Sequence, residues 1–165
     1  MAPPLLALPS TARDAAHAVG EPAVQGVRMD EGGQERPKVL LIDDDAANLA
    51  TLREALEAEG IEVVGDAIGG RSGVQLAERL SPDVILMDLR MPGMDGFEAT
   101  AAIREARPST QVVILTAYEE LLTRSADDMG AFAYLVKGCS SELMRQVIDQ
   151  AWRRGMEVRR RGVEG

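Results

Sequence analysis

Hydrophobic and polar positions follow two different periods along the middle of the chain. Five short apolar runs show no internal alternation, which is typical of strands that are buried on both faces of a parallel sheet. The runs are separated by segments in which apolar residues recur every three or four positions, as on amphipathic helices. The predicted strands are Lys38–Ile42, Ile61–Val64, Val84–Met87, Gln111–Leu115 and Phe132–Val136.

A predicted helix follows each of the five strands. Leu49, Leu52 and Leu56 define the first helix, which is expected to end at Gly60, and the others are centred on Val74–Leu80, Phe97–Ala106, Glu119–Met129 and a stripe of Met144, Val147, Ile148 and Ala151. Apolar residues are sparse in Glu119–Met129, so this helix is expected to pack loosely or to be partly mobile. Strict alternation predicts an α/β fold with a doubly wound five-stranded parallel sheet.

Polar residues stand where the predicted strands end. Asp43, Asp44 and Asp45 follow the first strand, Asp88 the third, Thr116 the fourth and Lys137 the fifth. Ligands of open parallel sheets bind at the carboxyl ends of the strands, so these side chains are expected to share one edge. The second strand supplies only Gly65 and Asp66 there, which predicts a position beside the site.

The segment after Asp88 is predicted to be stiff. Pro92-Gly93 suits the central positions of a type II turn, and Asp95 followed by Glu98 suits a helix capping box. A carboxylate at a strand end before such a turn indicates a functional site.

Composition narrows the class of protein. The 165 residues are 45% hydrophobic, enough for one domain, and the net charge is -9. We expect a disordered tail over residues 1–36, the domain over 37–156, and a basic C-terminal tail or helix end over 157–165, where Arg159–Arg161 lie. An acidic domain disfavours nucleic acid as a main ligand and favours a bound cation.

The cysteine content and the length of the apolar runs indicate a cellular compartment. The single Cys139 excludes an intramolecular disulfide, is expected to be an inert small side chain, and fits a reducing environment. No apolar run approaches the roughly 20 residues that span a bilayer. A soluble, cytoplasmic protein that binds neither nucleic acid nor membrane is therefore expected.

Four blocks of sequence, taken together and in order, resemble the receiver domain of two-component response regulators. The blocks are Ile42–Asp45, Met87–Gly96, Leu115–Ala117 and Ala133–Lys137. The resemblance covers about Lys38 to Trp152 and implies the flavodoxin-like (βα)5 fold with strand order 2-1-3-4-5. One departure is Gly138, which follows Lys137 where many receivers have a proline, and it puts the loop geometry in doubt.

The resemblance assigns roles to the residues at the strand ends. Asp88 is the implied phosphoacceptor, assisted by Thr116 and Lys137. The implied cofactor is Mg²⁺, and its implied ligands are Asp44 and Asp88 directly, Asp43 through water, and the backbone carbonyl of Arg90. Thr116 and Tyr134 are the implied switch residues. The implied surface that partner proteins recognise is formed by the fourth helix, the fifth strand and the fifth helix. The same surface is a candidate homodimer interface.

The implied activity is a signalling switch, and not an enzyme beyond its own phosphorylation and dephosphorylation. His17, the only histidine, lies in the predicted tail, so the phosphodonor is expected in trans, as a sensor histidine kinase or a phosphotransfer protein. A downstream protein effector is expected, because no helix-turn-helix output domain follows the fifth helix.

Three alternatives stay open at this stage. Asp43–Asp45 superficially offers the Asp-x-Asp pair of a haloacid-dehalogenase-like phosphatase, although Ala47 stands where that motif has Thr or Val. A scaffold-type receiver would not take phosphate at all. The chain could also be one piece of a larger regulator.

Overall fold

The sheet and its helices are seen in a computed structural model that describes residues 35–117 and 130–164. In chain order the elements of these ranges are β1 (Lys38–Asp43), α1 (Ala46–Ala58), β2 (Glu62–Ile68), α2 (Gly70–Leu80), β3 (Val84–Asp88), α3 (Gly96–Ala106), β4 (Gln111–Thr116), β5 (Ala133–Val136) and α4 (Ser141–Glu164). The predicted helix Glu119–Met129 lies outside the described residues. None of the helices described combines the length and the hydropathy that a membrane span requires.

All five strands pair in parallel, in the order β2-β1-β3-β4-β5. This order confirms the predicted doubly wound, flavodoxin-like sheet. It also places the ends of β1, β3 and β4 side by side in the middle of the sheet, where a site built from several strand ends can form.

The core has two layers, one on each face of the sheet. Along β1, Val39 and Leu41 belong to the layer packed against α1 and α4, whereas Leu40 and Ile42 belong to the layer packed against α2 and α3. All four residues are at most 1% exposed. Burial of both faces explains why the strand has no polar alternation.

The prediction for β2 was wrong at its carboxyl end. The strand runs to Ile68, so Gly65 and Asp66 lie within it and pair with Leu40 and Leu41 of β1, after a register shift between Val39 and Leu40. Asp66 is held there by an ion pair with Arg53 of α1. That partner lies on another element, so the local pattern, in which Gly and Asp indicate a turn, could not show it.

The last helix extends beyond the predicted domain boundary at residue 156. A Cβ atom added at Gly155 would overlap the Ser109 carbonyl oxygen, so the helix lies directly on the loop before β4. One turn further, Arg159 forms an ion pair with Asp83, which is 6% exposed. Asp83 also accepts a hydrogen bond of 2.8 Å from the backbone N–H of Lys38. The helix thus contacts the residues that precede β3 and β4 as far along as Arg159.

Candidate functional site

Three carboxylates meet at the carboxyl edge of the two central strands. Ile42 pairs with Met87, so the next residues, Asp43 and Asp88, are neighbours at the strand ends. Asp43 is 3% and Asp88 5% exposed, while Asp44 is exposed. One oxygen from each of the three side chains lies within 4.8 Å of the others. The structure therefore brings together the three predicted metal-ligand carboxylates.

Lys137 reaches the same point from β5. Its backbone N–H donates a 2.9 Å hydrogen bond to the Thr116 carbonyl, which continues the pairing of β4 with β5. Its Nζ lies 2.8 Å from Asp88 Oδ1 and 3.9 Å from Asp43 Oδ2. The ammonium thus lies directly against Asp88 and within ion-pair range of Asp43.

Burial sets the charge balance of the site. Loss of hydration raises the pKa of Asp43 to about 6, and the nearby Asp88 charge also raises it, against the opposing effects of the Asp45 N–H and Lys137. Burial likewise raises the pKa of Asp88, although the Lys137 hydrogen bond and charge lower it. Burial lowers the pKa of Lys137, but Asp88 and the other two carboxylates outweigh this and leave it raised.

Asp88 is positioned by a close contact with the start of α3. A Cβ atom added at Gly96 would lie 2.5 Å from the Asp88 carbonyl oxygen, so only glycine lets the helix approach this peptide. The predicted capping box is present, because Asp95 Oδ1 accepts the Glu98 N–H at 2.9 Å and the Glu98 side chain accepts the Asp95 N–H at 3.5 Å. Gly93 has φ +78°, as the second central position of a type II turn requires.

The two predicted switch residues are buried side chains on β4 and β5. Thr116 ends β4 and is 1% exposed. Tyr134 pairs with Ile114, is 6% exposed and packs in the core layer of α2 and α3. Ile114, the partner of Tyr134, lies two residues before Thr116 on β4. Side chains two apart on a strand share a face, so Thr116 and Tyr134 face the same layer. Arg90 is exposed in the loop after Asp88, and the role of its carbonyl stays a prediction.

Two contacts of the residues around this site were missed by reasoning from the sequence. The close approach at Gly96 could have been suspected from a glycine directly after a capping aspartate. The hydrogen bond from Ser141 Oγ to Glu59 Oε1, at 2.9 Å, joins residues 82 positions apart and leaves no local signal.

Comparison with known proteins agrees with the geometry. A family model described as the response regulator receiver domain matches residues 39–149. The response regulator GacA of Pseudomonas aeruginosa is 41% identical over 118 residues, which are 70% of this chain and 55% of that protein. The transcriptional regulatory protein PdtaR of Mycobacterium tuberculosis is 39% identical over 122 residues, 73% of this chain and 59% of that protein.

Solved structures show the same fold. A response regulator receiver domain protein from Clostridium thermocellum superposes with a TM-score of 0.66 at 28% identity, covering 74% of this chain and 98% of that one. The chain spans little more than half the length of the two curated relatives just described. Since one of them is named a transcriptional regulator, the expectation that this chain does not bind nucleic acid stays a prediction.

Proposed function

Because the chain belongs to the response regulator receiver family, we propose that it is a phosphorylation-dependent switch in which Asp88 accepts a phosphoryl group. The donor is the phosphohistidine of a sensor kinase or a phosphotransfer protein. The observation that carries the proposal is the Lys137 ammonium, 2.8 Å from an Asp88 carboxylate that two further aspartates adjoin. An oxygen nucleophile, a fixed cation and a cluster of metal-type ligands are the parts that phosphoryl transfer needs.

The donor set fits Mg²⁺. The three side chains offer only oxygen atoms, which Mg²⁺ prefers, and Asp44 is exposed enough to leave room for the waters that this ion retains. Asp44 and Asp88 would hold the ion directly, with Asp43 through water and the Arg90 carbonyl completing the protein ligands. When bound, the ion supplies charge neutralisation for the transferring phosphoryl oxygens.

The reaction needs little else from the protein. An Asp88 oxygen attacks phosphorus, the bond between phosphorus and the donor imidazole nitrogen breaks, and the imidazole leaves with the electron pair. During the transfer the Lys137 ammonium contacts the phosphoryl oxygens as well as Asp88, and the Thr116 hydroxyl donates a hydrogen bond to them. Holding these groups in place before transfer accounts for the catalysis.

Signalling follows from a shift between two conformations. A phosphoryl group bound to Thr116 and Lys137 favours the conformation in which the ends of β4 and β5 are drawn toward Asp88. Tyr134 lies on the Thr116 face, so it repacks with that movement. The surface that responds would include β5 and α4. The third expected part of it, the predicted helix Glu119–Met129, lies outside the described residues. This surface would bind a downstream effector or a second copy of the chain.

The test is intact-mass analysis after incubation with acetyl phosphate. We expect wild-type protein to gain one phosphoryl group with Mg²⁺ and none with excess EDTA. Asp88→Asn should gain none, while the matched control Asp95→Asn, which keeps its helix-capping oxygen, should gain one. Wild-type protein that stays unmodified with acetyl phosphate and with histidine kinases would instead support the scaffold alternative. Multiple turnover of phosphoesters would revive the phosphatase alternative.

A further inference from the structure

The loop that carries Lys137 into α4 turns on a single glycine. Gly138 has φ +97°, in the region that residues with a Cβ atom rarely adopt. Its two chain neighbours aside, no residue within the described ranges has an atom within 4 Å of the position that a Cβ atom would take. Glycine gives this loop its path but no rigidity of its own. The path of the backbone from Lys137 into α4 therefore depends on the contacts made on either side of Gly138.

Both ends of the loop are fixed by hydrogen bonds. At the first end, the Lys137 N–H is bonded to the Thr116 carbonyl at 2.9 Å. At the second end, Ser140 Oγ accepts the Leu143 N–H at 3.2 Å and so caps α4. The next residue, Ser141, donates its hydroxyl to Glu59 Oε1 at 2.9 Å, which ties the start of α4 to the end of α1.

Glu59 is engaged on both carboxylate oxygens. Its Oε2 lies 3.8 Å from Arg145 Nε, one turn after Ser141, and its side chain is 29% exposed. A negative charge beside the first turn of a helix is also favourable to the helix dipole. Glu59 therefore contacts α4 at two points one turn apart, which fixes the helix in rotation as well as in distance.

We propose that Glu59 and Ser141 are positioning residues for Lys137 in the phosphoryl-transfer reaction. They hold the start of α4 against α1 and thereby limit where the loop through Gly138 can place the ammonium. The inference rests on the proposed function. It adds that the strength of the Lys137 contact to the phosphoryl group depends on a contact outside the carboxylate cluster.

The contacts of Glu59 with Ser141 and Arg145 form a clamp between α1 and α4. Loss of this clamp should lower the rate of phosphorylation more than the affinity for Mg²⁺. Small displacements of a positioned catalytic group can cost up to about a hundredfold in rate, so for a partial loosening we expect a reduction of about five- to tenfold. The affinity for Mg²⁺ depends on Asp43, Asp44 and Asp88, which the clamp does not touch, and should change by less than about twofold.

The experiment compares Ser141→Ala and Glu59→Ala with wild type. We expect both variants to be phosphorylated more slowly by acetyl phosphate at saturating Mg²⁺, with the Mg²⁺ affinity from calorimetry unchanged. Ser141→Thr, which keeps the hydroxyl, should restore the rate, and the matched control Glu57→Ala, an exposed position on α1, should behave as wild type. Unchanged rates in both alanine variants would overturn the proposal, as would equal losses in the control.

A double-mutant cycle tests whether the clamp acts through Lys137. In a Lys137→Ala background, Ser141→Ala should have no further effect on the rate, because no ammonium remains to be positioned. If the rate losses of the two single variants multiply in the double variant, the clamp does not act through Lys137 and the proposal is overturned.

Amide hydrogen exchange tests the clamp independently of the proposed function, because it is measured on unphosphorylated protein. The Lys137 amide should exchange faster in Ser141→Ala than in wild type when the clamp holds the loop. Equal exchange would overturn the clamp even if Asp88 is phosphorylated. Faster exchange in a protein that never takes phosphate would instead overturn the phosphoacceptor function while the clamp stands.

Discussion

Replacing Asp43 by asparagine should stabilise the metal-free protein at neutral pH. Burial raises the pKa of this carboxyl from its ordinary value of 3.8 to about 6. The folded state therefore holds the proton more tightly than the unfolded state. The stabilisation that comes from this tighter proton binding is fully present below pH 3.8 and is lost as the pH rises through about 6. At pH 7.5 the side chain is ionised and its buried charge opposes folding.

The size of the effect can be worked from this shift. Raising the pKa from 3.8 to about 6 corresponds to on the order of 3 kcal/mol against the ionised folded state. Asparagine keeps an oxygen that can accept the Asp45 N–H, now bonded at 3.0 Å, but loses the attraction to Lys137 at 3.9 Å. We therefore expect a net gain of about 1–2 kcal/mol, which for a domain of this size is about 3–8 °C in Tm.

The assay is thermal unfolding in EDTA between pH 5 and 8. The advantage of Asp43→Asn should be largest above pH 7 and should shrink as the pH falls below about 6. Asp45→Asn is the matched control, because it removes the same charge from an exposed helix cap and should shift the Tm little. Added Mg²⁺ should stabilise wild type more than Asp43→Asn. A Tm below wild type at pH 7.5, or an advantage independent of pH, would refute the reasoning.

Three further outcomes are expected. Lys137→Ala should retain Mg²⁺ binding by calorimetry but lose about tenfold or more of its phosphorylation rate, and an unchanged rate would contradict the assigned role. Gly96→Ala should lower the free energy of unfolding by about 1–3 kcal/mol in urea, since a Cβ atom would lie 2.5 Å from the Asp88 carbonyl oxygen, and a neutral effect would mean that α3 can shift freely. Arg159→Ala should destabilise by about 1–3 kcal/mol because it leaves the buried Asp83 without this partner, whereas the exposed control Arg160→Ala should be neutral, and equal effects would contradict the packing of the helix end.

The fold followed from the sequence because its signals are local. Buried strands such as β3 are apolar from Val84 to Met87, and the capping box at Asp95 and Glu98 marks a helix start within four residues. Strand ends in a parallel sheet share one edge, so Asp43, Asp88 and Lys137 could be placed together before any distance was known.

What could not be predicted depends on partners far apart in the chain. Asp66 lies within β2, where it forms an ion pair with Arg53, although its residue type favours a turn. The Glu59–Ser141 and Asp83–Arg159 contacts join residues 82 and 76 positions apart, and they lie at the first turn and in the last turns of α4. Periodicity predicts that such a helix packs on the sheet, but not which polar side chains fix it there.

The central claim is that Asp88 carries the phosphoryl group, and chemical mapping of the modified residue tests it most directly. Borohydride reduces an aspartyl phosphate to homoserine, which tandem mass spectrometry locates in the chain. After incubation with acetyl phosphate and Mg²⁺, the account predicts homoserine at position 88 and none in EDTA. Homoserine at position 43 or 44, or an unmodified position 88 in protein that has gained a phosphoryl group, would contradict it.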